Sequence, residues 1–141
     1  ALIHEMLYAN SDLSKINLAQ YTNSLFEKLQ STYNKGYVKL KLKIPNDFYF
    51  EIDKMIPIGL IMNEAMSNSF KYAFQNNKGE ICISIIKNTI VISDNGIGLP
   101  KGFNQKTSSS FGLQLIHLLA EQLDAIVAIK NLKGTTIELK F

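Results

Sequence analysis

Two groups of residues carry types and spacings suited to chemistry. The first is the run Asn63-Glu64-Ala65-Met66-Ser67-Asn68-Ser69-Phe70-Lys71-Tyr72-Ala73-Phe74, and the second is Asp94-Asn95-Gly96-Ile97-Gly98. A lone carboxylate such as Asp94, placed where an apolar strand ends, accepts a hydrogen bond from a ligand amino group. Gly96 and Gly98 permit positive φ and let a ligand approach the backbone closely. Taken alone, Asp-Asn-Gly is also an ordinary turn. Together the two groups describe a nucleotide pocket.

The elements that must position these residues follow from periodicity. The spacing predicts a helix over 55–74, with Pro57 near the first turn, where a missing N–H costs nothing. At 3.6 residues per turn, Glu64, Asn68, Lys71 and Gln75 fall on one narrow stripe with Tyr72 at its edge. Most of the remaining circumference is apolar, so the stripe is either a solvated face or the lining of a cleft. The β-branched run Thr89-Ile90-Val91-Ile92-Ser93 predicts a strand that delivers Asp94. Ser108-Ser109-Ser110-Phe111-Gly112-Leu113-Gln114-Leu115-Ile116 opens another helix, to about Leu123, with a serine as N-cap. Its free N–H groups and dipole suit the β- and γ-phosphates of a nucleotide, although a plain capped helix has the same sequence pattern.

The order of these segments, followed by Gly134-Thr135-Thr136 on the last strand, resembles the ATPase superfamily of gyrase, MutL, the ninety-kilodalton heat-shock chaperone and histidine kinases. The wording of Asn63-Glu64 through Phe74, and of Gly112-Leu113-Gln114-Leu115-Ile116, looks most like the ATP-binding domain of sensor histidine kinases. Leu2-Ile3-His4-Glu5-Met6-Leu7-Tyr8 and Ser11-Asp12-Leu13-Ser14 look like the junction between a dimerisation hairpin and that domain. The resemblance implies an α+β fold, a two-layer sandwich of about three helices on one face of a mixed, mostly antiparallel sheet of Bergerat type. It also implies ATP and Mg²⁺ as cofactors.

Site roles carry over only where residues match. Asn68 stands at the position of the family's Mg²⁺-coordinating asparagine, and an amide oxygen is a suitable hard ligand. Lys71 would help neutralise phosphates and Tyr72 would line the nucleotide. Asp94 matches the acceptor of the adenine amino group, Gly96 and Gly98 shape its turn, and Thr135 matches a threonine near the base. Gly112 and Leu113 match the start of the helix at the phosphates. Glu64 matches the water-activating base of gyrase-like relatives, a role that would waste the phosphoryl group in a kinase. The chain departs from the pattern in having no arginine, which leaves Lys101 and Lys106 as lid cations. It also reduces the phenylalanine-rich box to Phe103 and places Asp124-Ala125 where glycine is usual.

The rest of the sequence is consistent with one domain. Its 141 residues, 46% of them hydrophobic, suffice for a single core. The one cysteine, Cys82, has no internal partner and is expected as a buried thiol in a reducing compartment. No apolar run reaches the roughly 20 residues of a membrane span, and no signal peptide is visible. A net charge of +3 is modest, and Lys39, Lys41 and Lys43 alternate with apolar residues as in a strand with one wet face. A helix is expected over 18–32, strands over 38–44, 48–52, 126–131 and 135–141, a hairpin over 80–87 and 89–93 turning at Asn88, and a mobile lid over 100–110. His117 reads as a structural helix residue, and neither it nor His4 has a metal-site companion.

These readings divide the chain into the end of a dimerisation hairpin with its linker, 1–15, and a catalytic ATP-binding domain, 16–141. The implied function is transfer of the ATP γ-phosphoryl group to a histidine on a hairpin outside this chain, with a response regulator receiver domain as the next partner. A homodimeric parent, a cytoplasmic location, no nucleic acid and no membrane contact by this segment complete the expectation. The alternatives are an anti-sigma-factor-like serine protein kinase of the same superfamily, which would phosphorylate a partner protein, and a nucleotide-sensing module without transfer.

Overall fold

The computed structural model describes residues 14–74, 78–98 and 111–141. Helix α1, Leu18–Tyr33, follows the short strand β1, Lys15–Asn17. Asn17 caps the helix, its side-chain oxygen accepting from the Gln20 N–H at 2.8 Å. Asn34 ends it in the left-handed conformation, φ 53°. The buried positions Leu18, Tyr21, Leu25, Phe26 and Leu29 keep the helical period read from the sequence. Thr22 joins them because its hydroxyl is satisfied by the Leu18 carbonyl at 2.7 Å.

Five strands form the main sheet: β2, Tyr37–Lys43; β4, Lys78–Ile86; β5, Thr89–Asp94; β6, Ile126–Leu132; and β7, Gly134–Lys140. Their order is β2-β4-β5-β7-β6. Only β2 and β4 run parallel; the other pairs are antiparallel. The registers Ile81↔Asp94, Ile83↔Ile92 and Ile92↔Ile137 put alternate isoleucines on one face, against the helices. On the opposite, open face stand Lys39, Lys41 and Lys43, the wet side expected for β2, with Ser93 and Thr136. Cys82, in phase with Glu80 and Ser84, also faces that side and is only partly buried. The expectation of a buried thiol is therefore corrected by the two-residue side-chain period of the strand.

A second, two-stranded sheet pairs β1 antiparallel with β3, Tyr49–Glu51. It leads into helix α2, Ile52–Asn68, which continues as a π turn over Ser69–Ala73. This helix starts a turn earlier than its expected 55–74 range, so Pro57 lies in the second turn rather than the first. Its missing N–H leaves the Asp53 carbonyl without an i→i−4 donor, and Asp53 is exposed, where water can serve. Helix α3, Phe111–Gln122, completes the layer of three α-helices among the described residues. The two-layer α+β architecture expected from the resemblance is present, with its core between the helices and the isoleucine face. Residues 1–13, Gln75, the serine N-cap of α3 and the lid over 100–110, with Lys101, Phe103 and Lys106, lie outside the described residues.

Candidate nucleotide site

Asp94 is the last residue of β5 and is 8% exposed. Among the described residues, three donors meet its carboxylate. Ser69 Oγ donates to Oδ2 at 2.7 Å, and the backbone N–H groups of Gly96 and Thr135 donate to Oδ1 at 3.0 and 3.2 Å. A carboxylate offers about four lone-pair directions, so three bonds leave one, on Oδ2, for a ligand donor. Burial lowers the local dielectric and raises the worth of that remaining acceptor.

Glycines permit the close approaches around it. Gly134 has φ +104°, and a Cβ there would lie 2.1 Å from the Asp94 carbonyl oxygen and 2.8 Å from Oδ1. Strand β7 therefore reaches Asp94, and presents the Thr135 N–H, only because residue 134 has no side chain. At Gly96 a Cβ would meet Ala73 at 2.4 Å, and the neighbouring Ile97 N–H donates to the Ala73 carbonyl at 3.1 Å. The turn after β5 is thereby tied to the end of the π turn. Asn95 anchors the same turn to β4: its side-chain oxygen accepts from the Glu80 N–H at 2.7 Å, and its own N–H donates to the Glu80 carbonyl at 3.2 Å.

A second group forms between α2 and α3. Glu64 and Asn68 are half-buried on the predicted stripe. A Cβ on Gly112 would lie 2.7 Å from Glu64 Oε2 and 3.7 Å from Asn68 Nδ2. The first turn of α3 thus faces the stripe, where the positive end of its dipole can meet an anion beside the Asn68 amide. Leu113 is 8% exposed and belongs to the core, so any ligand contact there would come from its backbone. The two groups are joined by one peptide bond, since Asn68 belongs to the second and Ser69 to the first.

Lys71 and Tyr72 stand exposed on the π turn, Tyr72 at 67%. The 3.6-residue stripe runs through Asn68 and stops where the helix widens. Widening moves each N–H one carbonyl further back, which deprives Phe70 of its ordinary α-helical donor. The Lys35 ammonium donates to that carbonyl instead. The Phe70 ring is buried against Phe26 and is stacked on Tyr33 at 5.9 Å between centroids. Ser69, Lys35, Asn95 and the Gly134 approach carry no regular sequence spacing. The one available signal for Ser69 was a polar residue between Asn68 and the buried Phe70.

A hollow of about 500 Å³ on the open sheet face, lined by residues including Cys82, Ser93 and Thr136, also touches Asp94. It lies across the sheet from Ser69, and the chemistry described above is on the helix side.

The chain is similar to known proteins over most of its length. The family model described as histidine kinase-, DNA gyrase B-, and HSP90-like ATPase matches residues 54–141. The sensor histidine kinase PdtaS of Mycobacterium tuberculosis is 22% identical over 99% of this chain, and that of Mycolicibacterium smegmatis is 23% identical over the same share. The chain spans 30% of the length of these curated relatives. Among solved structures, a blue-light activated histidine kinase of Erythrobacter litoralis superposes with a TM-score of 0.82 at 17% identity, covering 99% of this chain and 50% of its own. The catalytic domain of the histidine kinase ThkA, in a nucleotide-free form, gives a TM-score of 0.70 at 15% identity, covering 91% of this chain and 94% of its own.

Proposed function

The chain belongs to the histidine kinase-, DNA gyrase B-, and HSP90-like ATPase family, and from that membership we propose that it is the catalytic ATP-binding domain of a sensor histidine kinase. The observation that carries this reading is the buried Asp94 carboxylate, which three donors among the described residues hold with one acceptor direction left, one of the donors being Ser69, the residue next to Asn68. An adenine amino group suits that acceptor, whereas the guanine carbonyl at the corresponding ring position would oppose it. At the other end, Asn68 would hold Mg²⁺, and the first turn of α3 around Gly112 would receive phosphate oxygens. Bound Mg²⁺ would neutralise charge on the phosphates. Lys71 and Tyr72, exposed on the π turn, are within the same helix end and would add charge and an aromatic edge. Glu64, beside Gly112, would orient groups near the γ-phosphate.

The acceptor would be a histidine on a dimerisation hairpin, and residues 1–15 would carry the chain from it. A receiver domain would then take the phosphoryl group, within a homodimeric, cytoplasmic kinase. No helix among the described residues is long and apolar enough to cross a membrane. Titration calorimetry with Mg²⁺ and either ATP or GTP tests the binding half of this proposal. The expected result is ATP binding in preference to GTP. Equal affinities, or no ATP binding, would contradict it.

A further inference from the structure

We propose that Ser69 is a positioning residue for base recognition, whose hydroxyl fixes the Asp94 carboxylate so that one Oδ2 lone pair points to a ligand amino group. The inference rests on the ATP-binding reading and extends it to a residue outside the Glu64-Asn68 stripe. A serine within a helix ordinarily returns its proton to the carbonyl four residues back. That acceptor is present, the Ala65 carbonyl at 3.2 Å. The Asp94 Oδ2 contact is shorter, at 2.7 Å, and its acceptor is a carboxylate oxygen. A hydroxyl has one proton, and a charge-assisted bond is roughly twice as strong as a neutral one, so the proton goes to Asp94.

The geometry explains why a third donor matters. The terminal torsion of an aspartate is broad, and two N–H groups on Oδ1 leave Oδ2 free to swing. Ser69 removes that freedom, and both partners are buried, at 7% and 8% exposure. Because Ser69 follows Asn68 directly, the residue that sets the base acceptor is fixed to the one expected at the metal. Both move with the same turn of helix.

The test compares ATP with purine riboside triphosphate, which lacks the exocyclic amino group, by calorimetry with Mg²⁺ on the wild-type chain, S69A and S69C. For S69A, ATP affinity is expected to fall roughly fivefold, the worth of one hydrogen bond, while the analogue binds within about twofold of its wild-type affinity. S69C, with a weaker donor of similar size, should lie between, and it serves if S69A does not fold. Equal losses for both ligands would assign Ser69 a purely structural role and overturn the proposal. Unchanged ATP affinity in S69A, with the wild type binding ATP normally, would overturn this inference alone. Failure of the wild type to bind ATP would overturn the underlying reading as well.

Discussion

Replacing Asp94 by asparagine keeps the side-chain shape and changes one oxygen to an NH₂ group. The Gly96 and Thr135 N–H groups would hold the amide oxygen at the Oδ1 position, so the NH₂ would occupy the Oδ2 position. Ser69 would then turn its proton to the Ala65 carbonyl, already 3.2 Å away, and accept from the amide. Each donor that met the Asp94 carboxylate keeps a partner, and the loss to the fold is limited to weaker, uncharged bonds, about 1–2 kcal/mol. For a domain of this length that corresponds to a fall in Tm of about 3–7 °C. The ligand sees a different change, because the one remaining acceptor becomes a donor facing the adenine amino group. Losing a charge-assisted bond worth about 1.5–3 kcal/mol lowers ATP affinity by roughly 10- to 150-fold. Calorimetry well below the melting temperature reads the affinity, and a thermal melt reads the fold. ATP affinity within about twofold of wild type in folded Asp94→Asn would refute the assignment of Asp94 as the base acceptor.

Other substitutions separate site from scaffold. Asn68→Ala should weaken Mg²⁺-dependent ATP binding roughly tenfold or more with little change in melting temperature, since Asn68 is half-buried; an unchanged Mg²⁺ requirement would remove it as the metal ligand. Gly134→Ala forces a side chain into φ +104° with Cβ against the Asp94 carbonyl. It should cost about 1–3 kcal/mol for the conformation alone, measured as a lower denaturation midpoint, and an unaltered midpoint would contradict the described approach of β7 to Asp94. Burial raises the Tyr21 phenol from 10.0 to about 12, so the folded state binds its proton more tightly than the unfolded chain. The resulting stability is complete below pH 10.0 and is lost as pH rises toward about 12, at up to about 1.4 kcal/mol per pH unit. Tyr21→Phe should flatten that part of the stability profile, and identical wild-type and variant slopes would contradict it.

Local signals located much of this molecule. The inward set of α1, the alternation of lysines on β2, and the hairpin expected to turn at Asn88 follow from periods of 3.6 and 2 and from turn chemistry, although β4 ends one residue earlier than expected, with Lys87 in the turn at φ 54°. Cys82 was readable as well, since it alternates with Ile81 and Ile83; its face, rather than its hydrophobicity, decides its exposure. What escaped depends on distant partners. The π turn is stabilised by Lys35, 35 residues from Phe70 in sequence, and a 3.6-residue projection assumes that no such turn occurs. Strand β1 is three residues long and is defined by its pairing with β3 rather than by any pattern of its own. Ser69 lies off the Glu64-Asn68 stripe, and its partner is 25 residues away. The Glu64, Asn68 and Gly112 grouping was legible in outline because the first two share a helix face. Its closure against α3 is a tertiary fact.

The most direct measurement of the account is phosphoryl transfer from γ-labelled ATP with Mg²⁺, with and without the parent's dimerisation hairpin supplied as a separate polypeptide. The effective concentration lost by separating the two can be partly replaced by added hairpin. The account predicts no stable label on this chain alone, and acid-labile label on the hairpin when it is present, lost in Asp94→Asn and Asn68→Ala. Labelling of the isolated chain that disappears in His4→Gln would place the acceptor within it and contradict the proposed division at residue 15. Acid-stable label on a serine or threonine of a partner would contradict the histidine-kinase assignment itself.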